Sequence, residues 1–138
     1  MSGSQTIMRY SQDITHAEAP PPLPARSYPA EIIGASLRPA QSSGLLYWNL
    51  LFRVNADDYP ADFVGGDPDG TQIYYNRVRG DDSPVGRYAT RRLMEKIGGP
   101  LAQEIDANSL IGLRATIEVN HQEYEGEQRA NIARVLAP

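Results

Sequence analysis

Arginine and tyrosine are the side chains whose grouping in this sequence points to chemistry. Twelve of the thirteen basic residues are arginine, and six of the thirteen lie between Arg77 and Lys96, opposed there only by Asp81, Asp82 and Glu95. Guanidinium groups make flat, bidentate contacts with phosphate and stack on rings. Tyr47, Asn49 and Arg53 alternate along one stretch, and Tyr75, Arg77 and Arg79 along another. Rings interleaved with cations suit an unpaired polynucleotide, whose phosphates need charge and whose bases need flat surfaces. Arg91 and Arg92 extend the set, and Tyr124 adds a ring near the end of the chain. Two plainer explanations stand beside this one. Coding-base composition alone enriches arginine, and cross-strand Tyr–Arg packing stabilises a solvated sheet face.

Other chemistries find no constellation. There is no cysteine, so disulfides, thiolate catalysis and most structural zinc sites are absent. His16 and His121 lie in a terminal arm and a turn, without a serine or acid at a spacing that makes a triad. Asp67-Pro68-Asp69-Gly70 begins like a calcium loop, but no third acidic ligand follows and Val78 stands where the bidentate glutamate belongs. It reads as an ordinary turn. Gly65-Gly66 and Gly98-Gly99 lack the Lys-Ser/Thr of a phosphate loop. The carboxylates sit in loops without an apolar pocket to raise a pKa. The expectation is a protein that is not an enzyme and uses no metal or cofactor.

The elements that must position these residues follow from periodicity. Leu45 to Val54 alternates over ten residues, with Leu46, Trp48, Leu50, Phe52 and Val54 on one side and Tyr47, Asn49 and Arg53 on the other. That is a half-buried strand, and its parity puts Trp48 in the core as a structural residue. Before it, Tyr28 to Arg38 forms a first strand with a bulge or bend at Gly34. After it, residues 55–70 make an acidic connection holding five carboxylates. Thr71 to Arg79 is a third strand, read with Ile73, Tyr75, Arg77 and Arg79 outward and Tyr74 and Val78 inward, unless a bulge exchanges Tyr74 for Tyr75. Ser83 caps a helix with Pro84 in its first turn, Val85, Ala89, Leu93 and Ile97 as its buried stripe, and Gly98-Gly99 as its stop. Pro100 to Ile105 suggests a further short helical turn. Ile111 to Asn120 is a fourth strand with Leu113, Ala115, Ile117 and Val119 inward. His121 to Gly126 turns the chain, and Gln128 to Leu136 is the fifth strand.

The class is therefore all-β with one helix. The order β-β-β-α-β-β is that of the five-stranded Greek-key barrel known as the oligonucleotide/oligosaccharide-binding (OB) fold. Residues 1–24 form a Pro-rich arm, disordered or extended and stiffened by Ala19-Pro20-Pro21-Pro22-Leu23-Pro24. Residues 25–138 form the barrel domain. A length of 138 residues with 41% hydrophobic side chains is enough for one domain with a real core. A net charge of −4 gives no global field toward nucleic acid or acidic lipid, so any attraction must be local. No apolar run is long enough for a membrane span, and the polar N-terminus lacks a signal-peptide core. A cytoplasmic location is expected.

Several segments resemble the small bacteriophage single-stranded-DNA-binding proteins of the OB fold, a phage family formerly catalogued as a domain of unknown function. The similar segments are Asn49-Leu50-Leu51-Phe52-Arg53-Val54, the Leu-Met-Glu-Lys-Ile-Gly helix end at Leu93 to Gly98, Leu110-Ile111-Gly112, and Tyr124-Glu125-Gly126 leading to Asn131-Ile132. The chain departs from the pattern in its long acidic loop and in a C-terminal stretch without an acidic tail. The resemblance implies a protein that coats single-stranded DNA with little sequence preference in phage replication or recombination. Tyr47, Asn49, Arg53, Tyr75, Arg77, Arg79, Arg91, Arg92 and Tyr124 are the expected binding residues. Its expected partners are the strand itself and replication or recombination proteins, with self-association left open. The alternative is a protein-interaction adaptor or assembly component built on the same barrel, docking through the Pro-rich arm.

Overall fold

The computed structural model describes residues 5–138. Five strands form one antiparallel sheet: β1 (Ser27–Pro39), β2 (Leu46–Val54), β3 (Thr71–Arg79), β4 (Arg114–Tyr124) and β5 (Glu127–Leu136). Among the described residues one α-helix forms, α1 (Pro84–Ile97), between β3 and β4. The hydrogen-bonded order is β3-β2-β1-β4-β5. β1 is shared: its first residues pair with β4 and its remainder with β2, and an extra residue at Ile33 shifts the register beside Gly34. A bulge of this kind bends and twists a strand, which lets β1 serve two neighbours. The ladder is not closed by hydrogen bonds between β3 and β5, so the expected barrel appears as an open, coiled five-stranded sheet.

The alternation of β2 explains where the core sits. Trp48, Leu50, Phe52 and Val54 are all buried against Tyr28, Ile32, Ala115, Ile117, Val119, Ile132 and Val135. Full burial of each large apolar side chain contributes about 1.5–3 kcal/mol. Leu46, at the strand's start, departs from the expected pattern and is exposed. Trp48 keeps its polar edge satisfied: its indole Nε1 donates to Thr90 Oγ1 of α1 at 2.9 Å.

Three expectations need correction. On β3, Ile73 is buried, Tyr75 packs partly buried against the core, and Tyr74 is exposed, the reverse of the expected parity. The cause is a bulge: Trp48 faces Val78 but Leu50 faces Tyr75, so β3 holds one more residue than β2 across that interval. The extra residue inverts the pleat, and Asn76, between Tyr74 and Val78 in the set read as inward, is exposed. On α1, Val85 is exposed and the buried residues are Gly86, Leu93, Met94 and Ile97. Leu93 and Ile97 of the expected stripe stay buried, while toward the N-terminus the inward side passes through Gly86 and through Thr90, which meets Trp48. The helix ends match expectation, with Ser83 Oγ accepting from Gly86 N at 3.0 Å and Gly98 as the C-cap. Residues 100–105 are not helical; a single 3₁₀ turn comes later, at Ala107–Leu110.

The β4–β5 connection is also shorter than expected. Both strands run on past the sheet as a two-stranded ribbon, from Val119↔Ile132 to Tyr124↔Glu127. Only Glu125 and Gly126 turn, with φ of 51° and 82°. Two consecutive positive-φ residues make the tight hairpin turn that matches strand twist, and glycine adopts that conformation without cost. The ribbon's residues 120–129 are exposed on both faces, so they carry no apolar alternation, and His121 to Gly126 reads from the sequence as a turn. The arm joins the sheet at this ribbon: Leu23 is buried, and its carbonyl oxygen lies 2.8 Å from His121 Nε2. The acidic connection folds on its own aromatics. Tyr59 and Phe63 meet edge to face, and the Tyr59 hydroxyl donates to the Asp67 carbonyl at 2.8 Å. Asp67 Oδ1 accepts from Asp69 N, closing the turn read from the sequence.

Candidate nucleic-acid interface

Pairing register sets which side chains share the outer face of β1, β2 and β3. One row across the sheet is Arg38–Tyr47–Arg79, the next carries Ser36 and Asn49, the third is Gly34–Leu51–Tyr74, and the last is Glu31–Arg53–Gln72. Tyr47, Asn49, Arg53 and Arg79 are therefore brought together. Tyr75 is not: it belongs to the opposite, core-facing side, and Tyr74, 60% exposed, takes the outward position. Arg38, directly across from Tyr47, also belongs to this surface. It was legible by counting back through the polar turn from Tyr47. Tyr74 was not, because nothing in a Tyr-Tyr pair says which ring a bulge will expose.

Carboxylates hold several of these arginines. Arg79 Nε and Nη2 each donate to the Asp81 carboxylate at 2.9 Å, and Nη2 lies 3.3 Å from Ser83 Oγ. The Arg79 guanidinium, helped by the Ser83 hydroxyl, holds the Asp81 carboxyl well below the usual carboxylate range. Arg53 Nη2 lies 3.5 Å from Glu31 Oε1, which Arg114 approaches from the other side at 4.0 Å. The stem of Arg53 runs beneath the end of the acidic loop. Gly70 crosses it there with φ +99°, and a Cβ would come within 3.1 Å of Arg53 Cγ. Arg53 Nε is buried by that crossing without a hydrogen-bond partner.

The remaining expected residues lie elsewhere. Arg91 and Arg92 are exposed on α1 and share Glu95, at 3.8 and 4.0 Å. They diverge. Arg91 faces a hollow of about 930 Å³, which carries both signs of charge through Asp81, Asp82 and Arg87 and an apolar wall of Leu37, Met94 and Leu101. Arg92 faces a smaller cleft on the β3 side. Arg77, in the β3 bulge, turns toward β5, where its Nη2 donates to Asn131 Oδ1 at 3.1 Å. Tyr124 stands at the tip of the ribbon, 54% exposed, with the Arg129 guanidinium carbon 4.4 Å from its ring centroid. Among the described residues no three His, Asp or Glu side chains converge closely enough to hold a metal ion, and no helix is long and apolar enough to cross a membrane.

The outer face can therefore offer two exposed or half-exposed rings, Tyr47 and Tyr74, flanked by three guanidinium groups, of which Arg38 is the one without a carboxylate among the described residues. Rings set between cations on a twisted sheet permit stacking and phosphate contact together. No family model matches the chain, and no curated protein matches it.

Proposed function

We propose that this chain is a non-enzymatic single-stranded-DNA-binding protein that coats its ligand with little sequence preference in phage replication or recombination. The observation that carries the reading is the outer face, where Tyr47 and Tyr74 lie between Arg38, Arg79 and Arg53 in successive register rows. The strand order β3-β2-β1-β4-β5, with a helix between β3 and β4, supports it further. That connectivity is compatible with the OB fold, whose ligand face is formed by the second and third strands. The phage setting rests on the sequence resemblance alone. A specific observation favours the adaptor as a second reading: Ile7, Met8, Tyr10 and Ile14 are exposed on the arm, a suitable patch for a protein partner.

Titration of labelled oligo-dT followed by fluorescence anisotropy separates the two. The DNA reading expects binding that weakens linearly in log K as log salt rises, by about 0.7 per phosphate contact. It expects similar affinities for oligo-dT and mixed sequences. No anisotropy change at low salt would remove the DNA reading and leave the adaptor.

A further inference from the structure

Charge pairing divides the basic residues unevenly. Arg26, Arg53, Arg79, Arg87, Arg91, Arg92, Arg114 and Arg134 each lie within 4.0 Å of a carboxylate. Among the described residues Arg9, Arg38, Arg77, Lys96 and Arg129 do not. Two of these five, Arg77 and Lys96, open onto the same cleft, a hollow of about 310 Å³ between β3, α1 and the end of β5. Arg92 and Arg79 border it as well, and no carboxylate lines it. Like charges facing one hollow repel, and an anion between them relieves that repulsion.

The cleft is organised around Arg77. The β3 bulge supplies the extra residue that lets this side chain leave the sheet face. A relay of neutral amides then holds it, with Arg77 Nη2 donating to Asn131 Oδ1 and Asn131 Nδ2 donating to Asn120 Oδ1 at 2.9 Å. Neutral acceptors fix a guanidinium without cancelling its charge. Tyr75, on the wall, has its pKa raised by burial against the opposing pull of Arg77. Arg79 joins the two regions: it faces Tyr47 across the ladder and also borders the cleft.

We propose that the cleft formed by Arg77, Arg92 and Lys96 binds an internal phosphate of the strand, so that the polynucleotide leaves the outer face over the β3 bulge and continues toward α1. The proposal rests on the single-strand reading above.

The test compares wild type with Lys96→Gln and Lys96→Arg, using oligo-dT of roughly four and roughly 16 nucleotides, the range of site sizes for such folds. Lys96 lies outside the outer face, and matching thermal melts check that each variant folds. The short oligonucleotide, covering only the face, is expected to bind wild type and Lys96→Gln alike. The long one is expected to bind Lys96→Gln several-fold more weakly, with a salt slope smaller by about 0.7, and Lys96→Arg is expected to restore both. Equal affinity and slope for the long oligonucleotide overturn the cleft while leaving the face intact. A wild type that binds neither oligonucleotide overturns the single-strand reading itself. If a 5′-phosphate strengthens short-oligonucleotide binding to wild type but not to Lys96→Gln, the cleft holds a strand end and the continuous path is wrong.

Discussion

The outer face of β1–β3 and the cleft beside α1 handle arginine in opposite ways. On the face, Arg79 is clamped by Asp81 and Arg53 is held by Glu31, so rings are the prominent feature and most of the charge is compensated locally. In the cleft, Arg77 is fixed by an asparagine and Lys96 has no carboxylate partner among the described residues, so charge is prominent and the one ring, Tyr75, is a wall. The difference shows how a chain of net charge −4 can still present a cationic path. Global charge sets long-range steering, but a phosphate senses only charges within about a Debye length, about 8–10 Å at ordinary salt. Pairing geometry, more than arginine count, decides which cations are available.

Removing the rings is expected to have the largest effect. Tyr47→Ala with Tyr74→Ala should cost about 1–3 kcal/mol for each lost stack, a combined loss of well over tenfold in affinity. Circular-dichroism melts should barely move, since neither ring belongs to the buried core. Retained affinity would mean that the face is not the platform.

Releasing the clamp comes next. Asp81→Asn should free Arg79 and tighten single-strand binding several-fold at low salt, while lowering thermal stability. The pH dependence has a definite sign. Asp81 ionises at lower pH when folded than when unfolded, so its stabilisation is complete above the unfolded value of about 4 and declines as pH falls below that. Wild type and Asp81→Asn melting temperatures should converge on acidification; a gap constant from pH 7 to pH 2.5 contradicts the clamp. Glu31→Gln is a gentler version of the same experiment, since it unmasks Arg53 and Arg114 together. A salt slope steeper by about 0.7 for each phosphate newly contacted is expected, and an unchanged slope places those arginines off the path.

The smallest effect concerns the relay. Asn131→Ala leaves every charge in place and removes only what orients Arg77. Affinity for long oligo-dT should fall a few-fold with the salt slope unchanged, because the phosphate contact survives but is less well positioned. A loss as large as that of Tyr47→Ala would give Asn131 a direct role in binding.

Much of this molecule was legible in the chain. The β2 alternation, the Ser83-Pro84 helix start, the Gly98 stop and the inward residues of β4 all follow from local rules, since each is decided by one element against one core. The misread positions have separate causes. Tyr74 and Tyr75 changed places because register between two strands, unlike alternation within one, depends on the partner's count of residues. Val85 was misassigned because the first turn of the helix packs through Gly86, and Thr90 meets Trp48, a residue far away in sequence. His121 to Gly126 read as a turn because a strand exposed on both faces has no apolar period to recognise.

By itself the sequence determined that five strands and one helix would form and which apolar side chains most of β2 and β4 would bury, because hydrophobic periodicity is a property of each segment alone. Only the tertiary structure decided which tyrosine faces outward, which arginines are neutralised and where Arg77 meets Lys96. Those outcomes depend on distances between residues that lie far apart along the chain, and ion pairing changes sharply over a few ångströms.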